Sequence, residues 1–427
     1  MTSEMLILVL LVITALGFDF TNGFHDTGNA MATSIATGAF KPKTAVTVAA
    51  ILNLIGALLS VEVAATITKD VLKIQETKGD GAGELVAGLD AQKALLIIFA
   101  GLIGGILWNL FTWLFGLPSS SSHALFGGLI GSGLAAIGFG GINWAGITHK
   151  ILVPGLAAPV IACIVAATST WIIFKITSSI AEKNRDAGFR YGQRATASLL
   201  ALSHGTGDAQ KTMGVIALAL IATNHLDART VSSGLPIWVV LTCAFAIALG
   251  TYLGGWRIIR TLGKGLVEIS SPQGFAADAS SAAIILTSST AGMALSTTHV
   301  ATGSILGSGV GKPGAEVRWA VAGRMAVAWL ITLPAAGLVG ALAYWLSYFV
   351  KDVTSSPLMG DGLIFLILLG ASFFMWWRAQ QQKVDHSNVN ADWDTSTNSV
   401  VPAEVREAAK NGKAVKPTTT TTPKASV

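Results

Sequence analysis

Two runs of hydroxyl residues, each closed by a histidine, are the part of this chain best suited to holding an anion. They are Ser120, Ser121, Ser122 and His123, and far downstream Ser296, Thr297, Thr298 and His299. A glycine-rich stretch follows each run, "ALFGGLIGSG" after the first and "VATGSILGSG" after the second. A helix opening at such a point presents unpaired N–H groups and the positive end of its dipole beside the hydroxyls, which suits an oxyanion. Two other motifs carry charge: "NGFHDTGNAMAT" from Asn22 and "HGTGDAQKTMGV" from His204. Their carboxylates, Asp26 and Asp208, form a pair able to hold a proton or another coupling cation. Lys211 can offset an anion's charge, and Asn29 stands at the matching position of the first motif. The candidate substrate set is therefore Ser120, Ser121, Ser122, Ser296, Thr297, Thr298, Asn29 and Lys211, for a small tetrahedral anion. Asn22, His25, His123, His204 and His299 are candidate supporting groups, His123 and His299 by orienting the hydroxyl runs. Two structural alternatives stand beside this reading. Hydroxyls in membrane helices also bond neighbouring turns, and Asp208 with Lys211, three apart on a helix, can serve as a structural pair.

The elements that must position these groups lie in a membrane. Of 427 residues, 52% are hydrophobic and only 12% charged, and mean hydropathy is +0.62, whereas soluble domains carry roughly 25% charged residues. Ionisable side chains inside a membrane are costly and mark sites by default; Asp26, Asp208 and Lys211 qualify first, Asp19 and Asp278 after them. The net charge of +5 does not indicate nucleic acid, because Lys and Arg fall in short connections between apolar runs. Cys163 and Cys243 sit in apolar runs without metal spacing, so neither a disulfide framework nor a metal centre is expected, and no cofactor.

Runs of about 20 apolar residues, enough to cross a bilayer core, cover 44–66, 94–115, 151–174, 235–256, 319–347 and 358–377. Regions 5–40 and 195–223 are apolar but interrupted by the charged motifs, and Met5–Gly17 reads as a half-helix. The excess of Lys and Arg in 175–194 and 256–274 places both in the cytoplasm, while the acidic balance of 67–93 suits the outside.

The motifs repeat. With His123 aligned to His299, Gly127 meets Gly303, and Ile130-Gly131-Ser132-Gly133 meets Leu306-Gly307-Ser308-Gly309. With Gly23 aligned to Gly205, Asp26 meets Asp208 and Asn29 meets Lys211. Each half thus carries both motifs in one order, and the charge pattern makes the halves antiparallel. The expected fold is an all-α polytopic membrane protein of two inverted-topology repeats with discontinuous helices and re-entrant hairpins, an architecture of secondary transporters. Residues 1–174 and 195–350 are the repeats and 175–194 the cytoplasmic connection. Residues 351–377 form an extra C-terminal transmembrane helix and 378–427 a disordered cytoplasmic tail.

These motifs resemble those of the inorganic phosphate transporter (PiT) family, in particular bacterial low-affinity phosphate permeases. "NGFHDTGNAMAT" and "SHGTGDAQKTMG" are similar to the family's two signatures, and "GLPSSSSH" and "ALSTTH" to its paired Ser/Thr-His loops. "GWRIIRTLGKGLVEISSPQGFAADASSAA" is similar to its central stretch, and the resemblance covers about 1–350. It implies a multi-pass plasma-membrane symporter of inorganic phosphate, or of neutral metal–phosphate, coupled to H+ or Na+ by alternating access, and not an enzyme. It also implies phosphate and cation sites at Asp26, Asn29, Asp208, Lys211, Ser121, Ser122, Thr297 and Thr298. Gly207 departs from the Asn usual in the second signature, which removes a carbonyl ligand for Na+ and favours protons. A sulfate permease of the same family is the nearest alternative. An intramembrane Ser-His-Asp hydrolase is a distant one, since GxSxG and HExxH are absent and a triad would not be duplicated. The partners implied are phosphate, the coupling cation and membrane lipid, without nucleic acid; a homodimer is compatible with the sequence.

Overall fold

The apolar runs fold as helices, which satisfy their own backbone hydrogen bonds within a segment, as a lipid environment requires. The computed structural model describes residues 2–78, 82–86, 89–231, 233–390, 392–394 and 399–401. Its first half comprises α1 (Ser3–Ala36), α2 (Pro42–Ala57), α3 (Glu62–Asp70), the hairpin α4 (Ala91–Leu114) and α5 (Ser121–Ile137), the single turn α6 (Trp144–Ile147) and α7 (Val153–Ile176). The second half repeats this order with α8 (Glu182–Ala222), α9 (Ile237–Leu253), α10 (Trp256–Lys264), the hairpin α11 (Ser271–Thr290) and α12 (Thr297–Val310), and α13 (Trp319–Thr354). A further helix, α14 (Pro357–Gln381), closes the helical order. Two short antiparallel strand pairs, Gln75–Lys78 with Ala82–Leu85 and Asp392–Asp394 with Ser399–Val401, accompany this all-helical body. Among the described residues, five helices are long and apolar enough to cross a membrane, or up to seven if each bent pair is one span.

Two expectations about continuity change. The half-helix at Met5–Gly17 is not a separate element: α1 runs unbroken through the first charged motif, and α8 through the second. Neither helix contains a proline, and the polar side chains find partners on other helices, so the backbone ladder need not open. The breaks fall elsewhere, at 69° between α2 and α3 and 65° between α9 and α10. Gly254, with φ of +74°, turns the chain at the second break. The expected tail, 378–427, lies mostly outside the described residues. Within its first part, α14 continues to Gln381, the Arg257 guanidinium donates to the carbonyls of Ala379 and Gln382, and Val389 is buried.

The halves pack reciprocally. Helix α1 lies against α9 and α10 as α8 lies against α2 and α3, and α5 lies against α13 as α12 lies against α7. Aligned glycines make the last two contacts. On α5, a Cβ at Gly127 would strike the Leu333 carbonyl and one at Gly131 the Gly337 carbonyl. On α12, Gly303 and Gly307 meet the carbonyls of Pro159 and Cys163. Small residues at such seams let backbones approach closely, which drives helix association where water supplies no hydrophobic force. The outer faces of α7 and α13 expose Leu156, Val160, Ile164, Leu330, Leu338 and Leu342, as lipid contact demands.

Candidate functional site

Both hairpins turn in the same way. Helix α4 ends at Leu114 and α11 at Thr290; two residues on, Gly116 and Gly292 each adopt φ of +64°, the left-handed conformation glycine takes without a Cβ penalty. The chain then reaches Ser120 and Ser296, which cap the next helices. The Ser120 hydroxyl accepts the His123 N–H at 3.2 Å, and the Ser296 hydroxyl accepts the His299 N–H at 3.3 Å. The hydroxyl-histidine run is thus an N-cap plus a first turn. Ser121 and Ser122, and Thr297 and Thr298, hold the first two helical positions, whose N–H groups have no acceptor within the helix. Ser120 and Ser296 contribute mainly as caps, since their oxygens already accept from the backbone.

The two tips converge on the two carboxylates. Ser121 donates to Asp26 Oδ2 at 2.6 Å, and Thr298 reaches Asp26 Oδ1 at 3.4 Å. Thr297 stands between the pair, its hydroxyl 3.4 Å from Asp26 Oδ2 and 3.3 Å from Asp208 Oδ2. The Lys211 ammonium bonds Asp208 Oδ1, donates to Ser122 Oγ at 2.6 Å and to the Leu295 carbonyl at 3.1 Å. Asn29 donates to Thr298 Oγ1 at 2.9 Å, and Asn22 to Asp208 Oδ2 at 3.4 Å. All of the candidate substrate and cation residues are 0–4% exposed, so the site is occluded. The oxygens of Asn22 and Asn29 are buried without a hydrogen-bond partner, an arrangement that leaves acceptors for a ligand.

The histidines divide into two kinds. His123 and His299 stack across the halves, ring centres 4.9 Å apart at 22°. Pro159 of α7 lacks an N–H, which frees the carbonyl of Gly155 one turn earlier, and His299 Nδ1 bonds that carbonyl at 3.0 Å. This pair therefore ties the two tips to each other and to α7. His25 and His204 instead touch the carboxylates. His25 Nδ1 lies 2.7 Å from Asp26 Oδ1, with the Thr112 and Ser119 hydroxyls 3.4 Å from its Nε2.

His204 makes the stronger argument for a cation. Thr251 donates its hydroxyl to the Ile247 carbonyl and so accepts from Asn53 Nδ2 at 2.7 Å. Asn53 Oδ1 then faces His204 Nδ1 at 3.2 Å, which makes Nδ1 the protonated nitrogen. His204 Nε2 is left 3.2 Å from Asp208 Oδ2 with no hydrogen bond. A ring lone pair against a carboxylate is repulsive; positive charge between them, as a proton or a bridging cation, removes the repulsion. Asp26, His204 and Asp208 each offer one ligand atom, all within 4.8 Å of one another, so among the described residues these three side chains form a group that could hold a metal ion.

Sequence reasoning did not single out Asn53, Thr112, Ser119 or Thr251, which orient the two carboxylate-facing histidines. Their signal was available: Asn53 is a lone amide in an apolar run. The two weaker carboxylates lie away from the tips. Asp278 accepts from Thr33 at 2.6 Å and from Gln193 at 3.2 Å, whereas both oxygens of Asp19 are without a partner.

Comparison with known proteins identifies the family. A family model described as the phosphate transporter family matches residues 22–340. A probable low-affinity inorganic phosphate transporter of Mycobacterium bovis is 55% identical over 395 residues, which cover 92% of this chain and 89% of that protein. One of the same description from Bacillus subtilis is 41% identical over 345 residues, 80% of this chain and 97% of that protein. A solved structure described as the sodium-dependent phosphate transporter matches with a TM-score of 0.67 and 21% identity, over 81% of this chain and 99% of that one; this likeness concerns the fold. Its relatives are transporters rather than enzymes, and its helices make it a multi-pass protein of the plasma membrane. With both charged motifs and both hairpins inside the matched region, the chain belongs to the phosphate transporter family, as a bacterial PiT member.

Proposed function

We propose that this protein imports inorganic phosphate, alone or as a neutral metal–phosphate complex, by symport with H+ or Na+. The observation that carries the reading is the convergence of two capped hydroxyl tips, one from each half, on Lys211 and a carboxylate pair. Phosphate oxygens would take the hydroxyls and first-turn N–H groups of both tips, with Lys211 offsetting charge. Protonated phosphate can also donate to Asp26 or Asp208, which sulfate at neutral pH cannot; carboxylates at the site favour phosphate over sulfate for that reason. Asp26 and Asp208 would hold the coupling cation, with His204 completing the set for a metal ion carried as cargo. Neither anion nor cation then binds well alone, because each neutralises what the other leaves exposed.

The reciprocal packing supports alternating access. Residues 1–174 and 195–350 act as inverted repeats that rock about the occluded site, with α4–α5 and α11–α12 as re-entrant hairpins. When the loaded complex carries net positive charge, the membrane potential assists import by about 2.3 kcal/mol per charge per 100 mV.

Proteoliposome uptake tests this reading. Labelled phosphate should accumulate under an inward proton gradient and resist excess sulfate. Accumulation under a sodium gradient alone would make Na+ the coupling ion. No phosphate uptake in either gradient, or full competition by sulfate, would remove phosphate as the preferred substrate.

A further inference from the structure

Asp19 is a carboxylate that the phosphate site does not use. It sits seven residues before Asp26 on α1, about 10 Å along the axis, fully buried, with both oxygens lacking a hydrogen-bond partner. It begins a polar stripe on one face of α1 that continues through Asn22, Asp26, Asn29 and Thr33, all buried. The stripe places Asp19 on the face of α1 that carries the substrate-site residues, within a helix whose backbone is closed. The Thr212 hydroxyl of α8 lies beside Asp19 and is the group placed to bond it. The titratable and charged groups that face it are Asp208 and Lys211 from α8 and Cys243 from α9.

An unpaired charge buried in this way is costly, and such groups in membranes mark ion or proton pathways. Two features choose the proton. Helix α1 is unbroken here, so its carbonyls are occupied by the helix ladder and are not available to replace a sodium ion's hydration shell. A single hydroxyl can, however, serve both protonation states, accepting from the acid and donating to the carboxylate. The residue is also unmatched: the repeat alignment that sets Gly23 on Gly205 puts buried Ala201 at the corresponding place of α8. Packing of the repeat thus does not require a carboxylate there.

We propose that Asp19 is a proton-carrying site, separate from the phosphate site, that binds one coupling proton per transport cycle. The proton forms an O–H bond on one Asp19 oxygen when the site is open to the outside and leaves as H+ on the inside; no bond to phosphate changes. Asp19, Asp26 and Asp208 otherwise set three carboxylates against Lys211, and divalent phosphate would add to that excess. Neutralising Asp19 makes the loaded state accessible. The proposal rests on the reading that the protein is a coupled phosphate importer.

The test compares wild type and Asp19→Asn in proteoliposomes, by phosphate accumulation under an imposed pH gradient and by phosphate counterflow without one. For a gradient of one pH unit, each coupled proton raises the accumulation ratio about tenfold, since 1.4 kcal/mol is a factor of ten. Asp19→Asn should lower that ratio about tenfold while counterflow persists, and Asp19→Glu should restore accumulation. Undiminished accumulation by Asp19→Asn overturns the Asp19 site and leaves phosphate symport standing. Loss of counterflow together with accumulation also overturns it, because it places Asp19 in folding or substrate binding. A wild type that exchanges phosphate but ignores the pH gradient overturns both the Asp19 site and proton coupling.

Discussion

Lys211→Met should abolish phosphate uptake, with a fall of at least about 100-fold in initial rate. The ammonium is 2% exposed and bonds Asp208, Ser122 and the Leu295 carbonyl. Removing one member of a buried ion pair leaves the other uncompensated, at a cost of about 3–5 kcal/mol. That cost falls on the stability of the unliganded protein; in binding, truncating a buried charge partner costs about 2–5 kcal/mol or more, and with each 1.4 kcal/mol worth about tenfold the middle of that range exceeds 100-fold. The same change should lower the melting temperature in detergent. Lys211→Met combined with Asp208→Asn removes the orphaned charge and should recover much of that temperature without recovering uptake. Uptake by Lys211→Met at a third of the wild-type rate or more would contradict a role for the ammonium at the anion.

Gly131→Ala should prevent folding of the α5–α13 contact, and Gly307→Ala the matching α12–α7 contact. At both positions an added Cβ meets backbone, the Gly337 and Cys163 carbonyls, rather than a side chain that could turn aside. Overpacking of a core costs about 1–3 kcal/mol where side chains can shift, and more where they cannot. Since α5 and α12 open at the hydroxyl tips, displacing either helix also displaces Ser121–Ser122 or Thr297–Thr298. The expected result is loss of the monodisperse peak in size-exclusion chromatography for both variants. Gly323→Ala on α13 and Gly370→Ala on α14 meet nothing within 4 Å and should be neutral or stabilise by up to about 1 kcal/mol, as Gly→Ala does in an open helix interior. Normal folding of Gly131→Ala would show that the seam is looser than the geometry requires.

These two predictions rest on features of different legibility. The glycines and the hydroxyl runs could be aligned from sequence because duplication preserved their spacing, and spacing on a helix fixes which face meets a neighbour. The continuity of α1 and α8 could not. Polar residues in an apolar run look like a break when their partners are unknown, and the partners here, such as Asn53, Thr112 and Asp278, come from distant segments. The same limit hid the orientation of His204: its Nδ1 proton follows from a chain of bonds through Asn53 and Thr251 that spans α8, α2 and α9. Caps were half legible. Ser120 and Ser296 read as hydroxyl donors in a row with their neighbours, yet each turns its oxygen onto its own helix. One-dimensional pattern does not say which of several adjacent hydroxyls closes the helix and which faces the ligand.

The most direct test of the account is a structure of the wild-type protein prepared in phosphate, with a difference map against phosphate-free protein. One tetrahedral density is expected between the tips, within hydrogen-bonding distance of Ser121 or Ser122 from one half, Thr297 or Thr298 from the other, and Lys211. Phosphate density elsewhere, or contacts to one tip alone, would contradict it.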